Sequence, residues 1–95
     1  MSAKFRVLTT PSFDRESKKL FKKNKKVADV FEKIVEILRN NPKNESRKYS
    51  IRKLTDVKHG EGQWRIRSGN YRFRYDISGK NVVLHSIRDR KDSYR

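Results

Sequence analysis

Residues 64–77 of the 95-residue chain have the sequence WRIRSGNYRFRYDI, in which apolar and charged side chains alternate on both sides of Ser68-Gly69-Asn70. Because side chains of an extended strand point to opposite faces in turn, this alternation predicts a β-hairpin with one apolar and one basic face. The apolar face takes Trp64, Ile66, Tyr71, Phe73, Tyr75 and Ile77, and the other face takes Arg65, Arg67, Arg72, Arg74 and Asp76. Another part of the chain must cover the apolar face.

Two helices upstream of the hairpin are predicted to provide that cover. Apolar residues at helical spacing predict a helix over residues 25–39, and Asn40-Asn41-Pro42 ends it. A shorter helix precedes it, and either Thr10 or Ser12 can cap its start. The basic run at residues 22–26 joins the two helices; we favour a solvated turn there and leave phosphate contact open.

Three further strands are predicted from short apolar runs. They lie at Lys4–Thr9, at Tyr49–Leu54 and at Val82–Ile87, and the last follows a tight turn at residues 78–81. The element order is then β-α-α-β-β-β-β in a single domain covering residues 1–95. We therefore predict an α+β fold with an N-terminal strand, a helical hairpin and an antiparallel β-sheet meander packed against the helices.

The charge of the chain gives the strongest indication of its partners. The sequence has 26 Lys and Arg residues against 11 Asp and Glu, which gives a formal charge of +15 and a pI near 10.5. Such an excess predicts a polyanionic partner, which is a nucleic acid, an anionic membrane surface or an acidic protein. Disordered chains share this composition, but the periodic apolar residues indicate a folded core.

Composition also excludes several kinds of protein. Without cysteine there is no disulfide framework or thiolate metal site, and His59 and His85 are too few for a histidine-rich one. We therefore expect no metal and no cofactor. No run reaches the roughly 18 apolar residues of a membrane span, and the first residues lack the apolar core of a signal peptide. These features predict a cytoplasmic protein.

The basic face of the predicted hairpin indicates an anion site. Like charges opposite one another on neighbouring strands destabilise a sheet by up to ~1 kcal/mol a pair, so four arginines on one face cost the fold stability. In the sequence, Asp76 shares their alternation and Glu61 lies nearby, and these two carboxylates are the available neutralising partners. We favour a functional anion site over internal ion pairs.

The hairpin and the segments around it resemble a known family. The string QWRIRSGNYRFRY at 63–75 is followed by IRDRKDSY at 87–94, and Asn41-Pro42 and Arg52-Lys53-Leu54 precede it. This combination, over nearly the whole chain, resembles the RelE/ParE superfamily of toxins from type II toxin–antitoxin systems, with the RelE branch favoured. The resemblance implies a RelE-like microbial ribonuclease fold. Toxins of the RelE branch are ribosome-dependent endoribonucleases that cut mRNA in the A site, whereas those of the ParE branch poison DNA gyrase.

The resemblance also assigns residues to a catalytic site, namely Arg65, Arg67, Arg72, Arg90 and Tyr94. Arginine suits this role because its planar, permanently charged group holds two phosphate oxygens. RelE-type nucleases often have lysine where this chain has Arg65 and Arg67, and lysine can lose its proton among like charges whereas arginine keeps it. Tyr94 could transfer a proton instead, although we favour stacking on a base or orienting the substrate.

Further contacts with RNA are expected from a second group of basic residues, Arg52, Lys53, Arg74, Arg88 and Lys91. His85 is a secondary candidate: a half-buried strand histidine is the favoured interpretation, but some RelE relatives use a histidine near the closing segment. His59 lies in a turn-like stretch, and we expect it to be solvated.

The first hypothesis for function is a toxin that acts as a ribosome-dependent mRNA endoribonuclease and inhibits translation, by metal-free attack of the 2′-OH. The alternative is a ParE-like gyrase poison or a catalytically inactive relative that binds nucleic acid or antitoxin. The joint presence of Arg72, Arg90 and Tyr94 favours the nuclease. The expected partners are a cognate acidic, partly disordered antitoxin, the ribosome and mRNA, with DNA gyrase in the alternative and no membrane.

Overall fold

The computed structural model describes residues 4–89, which form two helices and a five-stranded sheet. In chain order the elements are β1 (Arg6–Thr9), α1 (Pro11–Lys23), α2 (Lys26–Asn40), β2 (Ile51–Lys53), β3 (Trp64–Ser68), β4 (Tyr71–Ser78) and β5 (Asn81–Asp89). The predicted α+β class and element order are confirmed. Between residues 4 and 89, neither helix has a stretch long and apolar enough to cross a membrane.

Side chains of the preceding residues fix the starts of both helices. At α1 the Thr10 hydroxyl accepts the backbone N–H of Phe13 at 3.0 Å, so Thr10 is the cap. At α2 the side-chain oxygen of Asn24 accepts the backbone N–H of Lys26, also at 3.0 Å. Asn24 and Lys25 alone separate α1 from α2, and this short connection holds the two helices as a hairpin.

The sheet has the strand order β1-β5-β4-β3-β2. Strands β2 to β5 pair antiparallel in sequence order, as the meander prediction requires. The first strand differs, because β1 pairs in parallel with β5 and makes the sheet mixed. Parallel neighbours need a long crossover connection, and the chain from α1 to β4 supplies it.

A β-bulge interrupts the pairing of β4 with β5. Arg74 lies opposite Ser86, but the next residue, Tyr75, lies opposite Leu84. His85 is therefore an extra residue in β5 with no opposed residue in β4. The extra residue allows Leu84 and Ile87 to face the helices together, although they are three positions apart. The predicted strand at Val82–Ile87 therefore contains a bulge at His85.

The core lies between the helices and the apolar face of the sheet. Its buried side chains are Phe13, Val27, Ile34, Leu38, Ile66, Tyr71, Phe73, Tyr75, Val82, Leu84 and Ile87. Trp64, predicted to face this core, is half-buried at its margin and stacks on Tyr75 with ring centroids 6.4 Å apart. The buried Tyr75 hydroxyl donates to the carbonyl of Pro42 at 2.7 Å, which ties the segment after α2 to β4. Burial raises the pKa of Tyr75 far above its ordinary value, so this hydroxyl stays protonated as the donor.

Candidate functional site

The sheet face opposite the helices carries five arginines, which we call the arginine face: Arg52, Arg65, Arg67, Arg72 and Arg74. The strand register brings them together in directly opposed pairs. Arg65 lies opposite Arg52 on one side and Arg74 on the other, and Arg67 lies opposite Arg72. Opposed residues share a face with their Cβ atoms about 4.5–5.5 Å apart, so the arginine face is a concentrated block of positive charge.

Carboxylates within residues 4–89 do not neutralise this block. The ion pairs of this part of the chain are Arg39 with Glu36, Arg88 with Glu16, and His85 with Asp76, and none includes a member of the arginine face. Of the two carboxylates considered from sequence, Glu61 accepts the backbone N–H of Lys58 at 3.3 Å and Asp76 is held by the backbone. Within residues 4–89, no ion pair therefore offsets the charge of the arginine face.

Two of the arginines carry buried donors without acceptors. Within residues 4–89, the Nε–H groups of Arg65 and Arg72 have no hydrogen-bond partner. Burial, together with the charges of Arg72, Arg52 and Arg67, lowers the pKa of Arg65 below its ordinary value. A buried donor left unpaired costs about 1–3 kcal/mol, so these two side chains lower the stability of the fold.

Arg74 has a different role from its neighbours. Its Nε and Nη2 donate to the carbonyl of Gly62 at 3.1 and 3.0 Å, so the side chain anchors the segment before β3. Gly62 itself has a φ of +89°, and a Cβ there would lie 3.0 Å from the Cβ of Arg74. The close approach explains why glycine occupies this position.

Asp76 is the buried acid on the same side of the sheet as the arginine face. It is 2% exposed, and its carboxylate accepts the backbone N–H groups of Gly60, Gly62 and Gln63 at 2.8, 3.0 and 2.9 Å. Burial alone would raise the pKa of Asp76, but these three donors and the charge of His85 together lower it below its ordinary value. Asp76 is therefore an ionised carboxylate that holds the segment 60–63 against the sheet.

His85 completes this arrangement. Its Nε2 lies 2.7 Å from Oδ2 of Asp76, and its side chain keeps 23% of its surface exposed. The contact depends on the β-bulge, which places His85 between the pairs Asp76–Val83 and Arg74–Ser86. An acid and a histidine thus lie beside the arginine face, one buried and the other open to solvent in part.

Comparison with known proteins identifies the family. Residues 7–94 match the family described as ParE toxin of type II toxin-antitoxin system, parDE. The chain belongs to the ParE toxin family. The toxin is also similar in fold to a chain in the crystal structure of the RelB-RelE antitoxin-toxin complex from Methanococcus jannaschii. The TM-score is 0.70 at 23% sequence identity, over 93% of the toxin and 95% of that chain. No curated protein matches the toxin.

These findings confirm the predicted membership of the RelE/ParE superfamily. They also assign the toxin to a type II toxin–antitoxin system and show that its fold is RelE-like. The family match names ParE, whereas the similar solved fold comes from a RelE complex.

The structure brings together three of the predicted catalytic residues, Arg65, Arg67 and Arg72, on adjacent positions of β3 and β4. The other two, Arg90 and Tyr94, lie outside the described residues, as does the predicted RNA contact Lys91.

The remaining predicted RNA contacts are divided between surfaces. Arg52 and Arg74 belong to the arginine face. Lys53 follows Arg52 in β2 and therefore points to the other face, where its Nζ lies 5.8 Å from the ring centroid of Trp64. Arg88 lies opposite Arg72 in register, but its side chain pairs with Glu16 of α1. His59 is exposed.

The pairing of Asp76 with His85 was missed by the sequence analysis, which considered Asp76 as a partner for arginines. One feature of the sequence does indicate it. Val82 and Leu84 alternate, but the next apolar residue, Ile87, comes one position late, and this delay is typical of a bulge. The backbone donors that hold Asp76 come from a loop far away in sequence, which no local pattern predicts.

Proposed function

We propose that the toxin is a ribosome-dependent endoribonuclease that acts in the cytoplasm and cuts mRNA in the ribosomal A site. The observation that carries the proposal is the arginine face itself, in which Arg65 lies opposite both Arg52 and Arg74 and no ion pair between residues 4 and 89 offsets the charge. An RNA phosphate offers oxygens that guanidinium groups bind and a charge that offsets the repulsion within the arginine face.

The chemistry of RNA cleavage matches what these residues supply. Attack of a 2′-oxygen on the adjacent phosphorus forms a crowded phosphorane with additional negative charge, and positioned cations stabilise it. In the proposed complex, Arg65 and Arg72 donate to the phosphate oxygens, while Arg52 and Arg67 add positive charge around them. The reaction releases a 2′,3′-cyclic phosphate and a free 5′-hydroxyl.

Dependence on the ribosome follows from the side chains of this face. Arginine keeps its proton in proteins, so the arginine face stabilises charge but does not activate the 2′-OH. A ribosome that holds the mRNA in a reactive geometry supplies much of the missing rate by orientation. Free RNA should therefore be cut far more slowly than translated RNA.

The test is primer extension on a defined mRNA in a reconstituted translation reaction, with and without ribosomes. Wild-type toxin should produce cuts at A-site codons that require ribosomes, and Arg72→Ala should reduce their rate by at least ~10²-fold. The matched control is Arg15→Ala, which removes an exposed arginine from α1 and should cut at the wild-type rate. Equal cleavage of naked and translated RNA would refute the proposed mechanism.

A second candidate function is the poisoning of DNA gyrase, which the match to the ParE family favours. In that case the arginine face binds gyrase or its DNA without cutting RNA. A gyrase supercoiling assay with the same three proteins distinguishes the two functions. Inhibition of supercoiling by wild type and Arg15→Ala, together with no mRNA cleavage, would establish the gyrase poison.

We further propose that the cognate antitoxin is an acidic chain, partly disordered when free, that folds on the toxin. The formal charge of +15 supports an acidic partner, and the similar solved fold is that of a toxin in complex with an antitoxin. Such a partner would associate quickly at low salt and more slowly as salt is added.

A further inference from the structure

Asp76 and His85 form an acid–histidine pair. Binding of phosphate by the arginine face does not require this pair. Asp76 is already held by three backbone N–H groups, which keep it ionised and fix its position. His85 adds a fourth contact through Nε2 at 2.7 Å, and its side chain remains partly exposed. A carboxylate that orients an imidazole in this way is a recurring arrangement for proton transfer.

The contact determines which ring nitrogen is available for chemistry. Since Oδ2 of the ionised Asp76 is an acceptor, Nε2 of His85 carries the hydrogen between them. In the neutral imidazole the lone pair then resides on Nδ1. His85 therefore offers a base, which is the group that the arginines cannot supply.

The position of the pair fits a substrate bound at the arginine face. The bulge places His85 next to the Arg74–Ser86 pair, and Arg74 lies opposite Arg65 on the next strand. With strands about 4.8 Å apart, the backbones of His85 and Arg65 are about 10 Å apart. Their side chains can therefore contact one bound nucleotide from two sides.

We propose that His85 is the general base of the cleavage reaction and that Asp76 is its positioning residue, an inference that rests on the proposed nuclease function. Nδ1 of His85 takes the proton of the 2′-OH while the 2′-oxygen forms its bond to phosphorus. The bond from phosphorus to the 5′-oxygen breaks, and that oxygen takes a proton from solvent water. The hydroxide left behind removes the proton from His85, which restores the neutral imidazole.

Besides His85 itself, the charged and titratable groups on the elements around it could affect how the cleavage rate depends on pH. They are Arg72, Arg74 and Asp76 of β4 with its two tyrosines, Arg88 and Asp89 of β5, and Arg6 of β1. The loop before β3 adds Asp56, Lys58, His59 and Glu61, and α1, which packs against β5, adds Asp14, Arg15, Glu16, Lys18, Lys19, Lys22 and Lys23. Of these, His59 is the other histidine. A variant of His59 is therefore the necessary control.

The experiment measures single-turnover cleavage of ribosome-bound mRNA from pH ~5.5 to ~8.5, a range that spans ordinary histidine titration. Wild type should show a rate that rises with pH on an acidic limb of slope one and then levels off. His85→Gln should be at least ~10²-fold slower on the plateau and should lack the limb. His59→Gln should retain the wild-type rate and profile.

Asp76→Asn tests the positioning role separately. Without the carboxylate to orient the imidazole, the plateau rate should fall while the rate keeps its dependence on pH. A folded Asp76→Asn protein with the wild-type plateau rate would refute the role of Asp76.

The outcomes separate this proposal from the function on which it rests. Absence of ribosome-dependent cleavage by wild type overturns both. Cleavage by wild type with a pH-independent rate overturns the role of His85 alone, and this measurement requires no variant to fold. A folded His85→Gln protein within about threefold of the wild-type rate does the same.

Discussion

Repulsion between the opposed arginines of the arginine face lowers the stability of the fold. Arg65 shows this most clearly, because it is opposed by arginines on both neighbouring strands and its buried Nε–H has no acceptor within residues 4–89. Arg65→Met keeps the aliphatic stem and removes both penalties. In low salt the free energy of unfolding should rise by about 1–3 kcal/mol, because the unpaired donor and the repulsion from two arginines are both removed.

Urea denaturation measures this change, and the rate of mRNA cleavage by the same variant should fall by about 10²-fold. Arg15→Met, on exposed α1 surface, is the control and should change neither quantity appreciably. A less stable Arg65→Met protein would mean that the contacts of the guanidinium group outweigh the repulsion.

Asp76 stabilises the fold through its charge. Asp76→Asn replaces a carboxylate with a group that has one acceptor oxygen and two new hydrogens facing the donors of Gly60, Gly62 and Gln63. The free energy of unfolding at neutral pH should fall by about 2–4 kcal/mol. Glu32→Gln, on the exposed face of α2, should leave it unchanged.

The pH dependence of stability follows from the lowered pKa of Asp76. An acid whose pKa is lower in the folded state contributes stability that is fully present above the unfolded pKa, about 3.9, and is lost as pH falls through the folded value. Wild type should therefore lose stability steeply below pH ~4, and Asp76→Asn should lose less over the same interval. Parallel curves for the two proteins would contradict this assignment.

Among the elements, the loop before β3 depends on two glycines that differ in their surroundings. Both Gly60 and Gly62 have positive φ, at +99° and +89°. A Cβ on Gly62 would lie 3.0 Å from the Cβ of Arg74, whereas a Cβ on Gly60 would meet nothing within 4 Å. Gly62→Ala should cost about 2–4 kcal/mol of stability, and Gly60→Ala, which carries backbone strain alone, about 1–2 kcal/mol.

Thermal denaturation of the two alanine variants compares these costs directly. Equal melting temperatures would show that Arg74 moves aside without loss, and that its contact with the loop is not fixed by packing.

The elements also show how far the sequence predicts this fold. The hairpin of β3 and β4 follows from the strict alternation at 64–77, and α2 follows from apolar residues at helical spacing, because both patterns are local. The parallel pairing of β1 with β5 is not local, and neither is the burial of Asp76 beneath residues 60–63. The arginine face was therefore predictable, whereas the acid–histidine pair beside it was not.

At the scale of the whole molecule, the charge of +15 makes stability depend on salt. At physiological ionic strength the repulsion between like charges more than about 8 Å apart is largely screened. Added NaCl should therefore stabilise the compact state. The melting temperature should rise between low and physiological salt, as scanning calorimetry would measure. A melting temperature that falls with added NaCl would show that internal ion pairs outweigh the repulsion.

The placement of β1 beside β5 has a consequence for the folding pathway. These strands pair in register at Arg6 with Asn81 and at Thr9 with Leu84, so the sheet joins segments from opposite ends of the described chain. Contacts so distant in sequence form only after a long loop has closed. The chain loses the loop-closure entropy before these contacts stabilise it, which slows folding. Until β5 joins the sheet, β1 has no partner strand and the core lacks Val82, Leu84 and Ile87. Because His85 belongs to β5, partly folded chains should therefore lack the Asp76–His85 pair, and the toxin should gain its activity in a single late step.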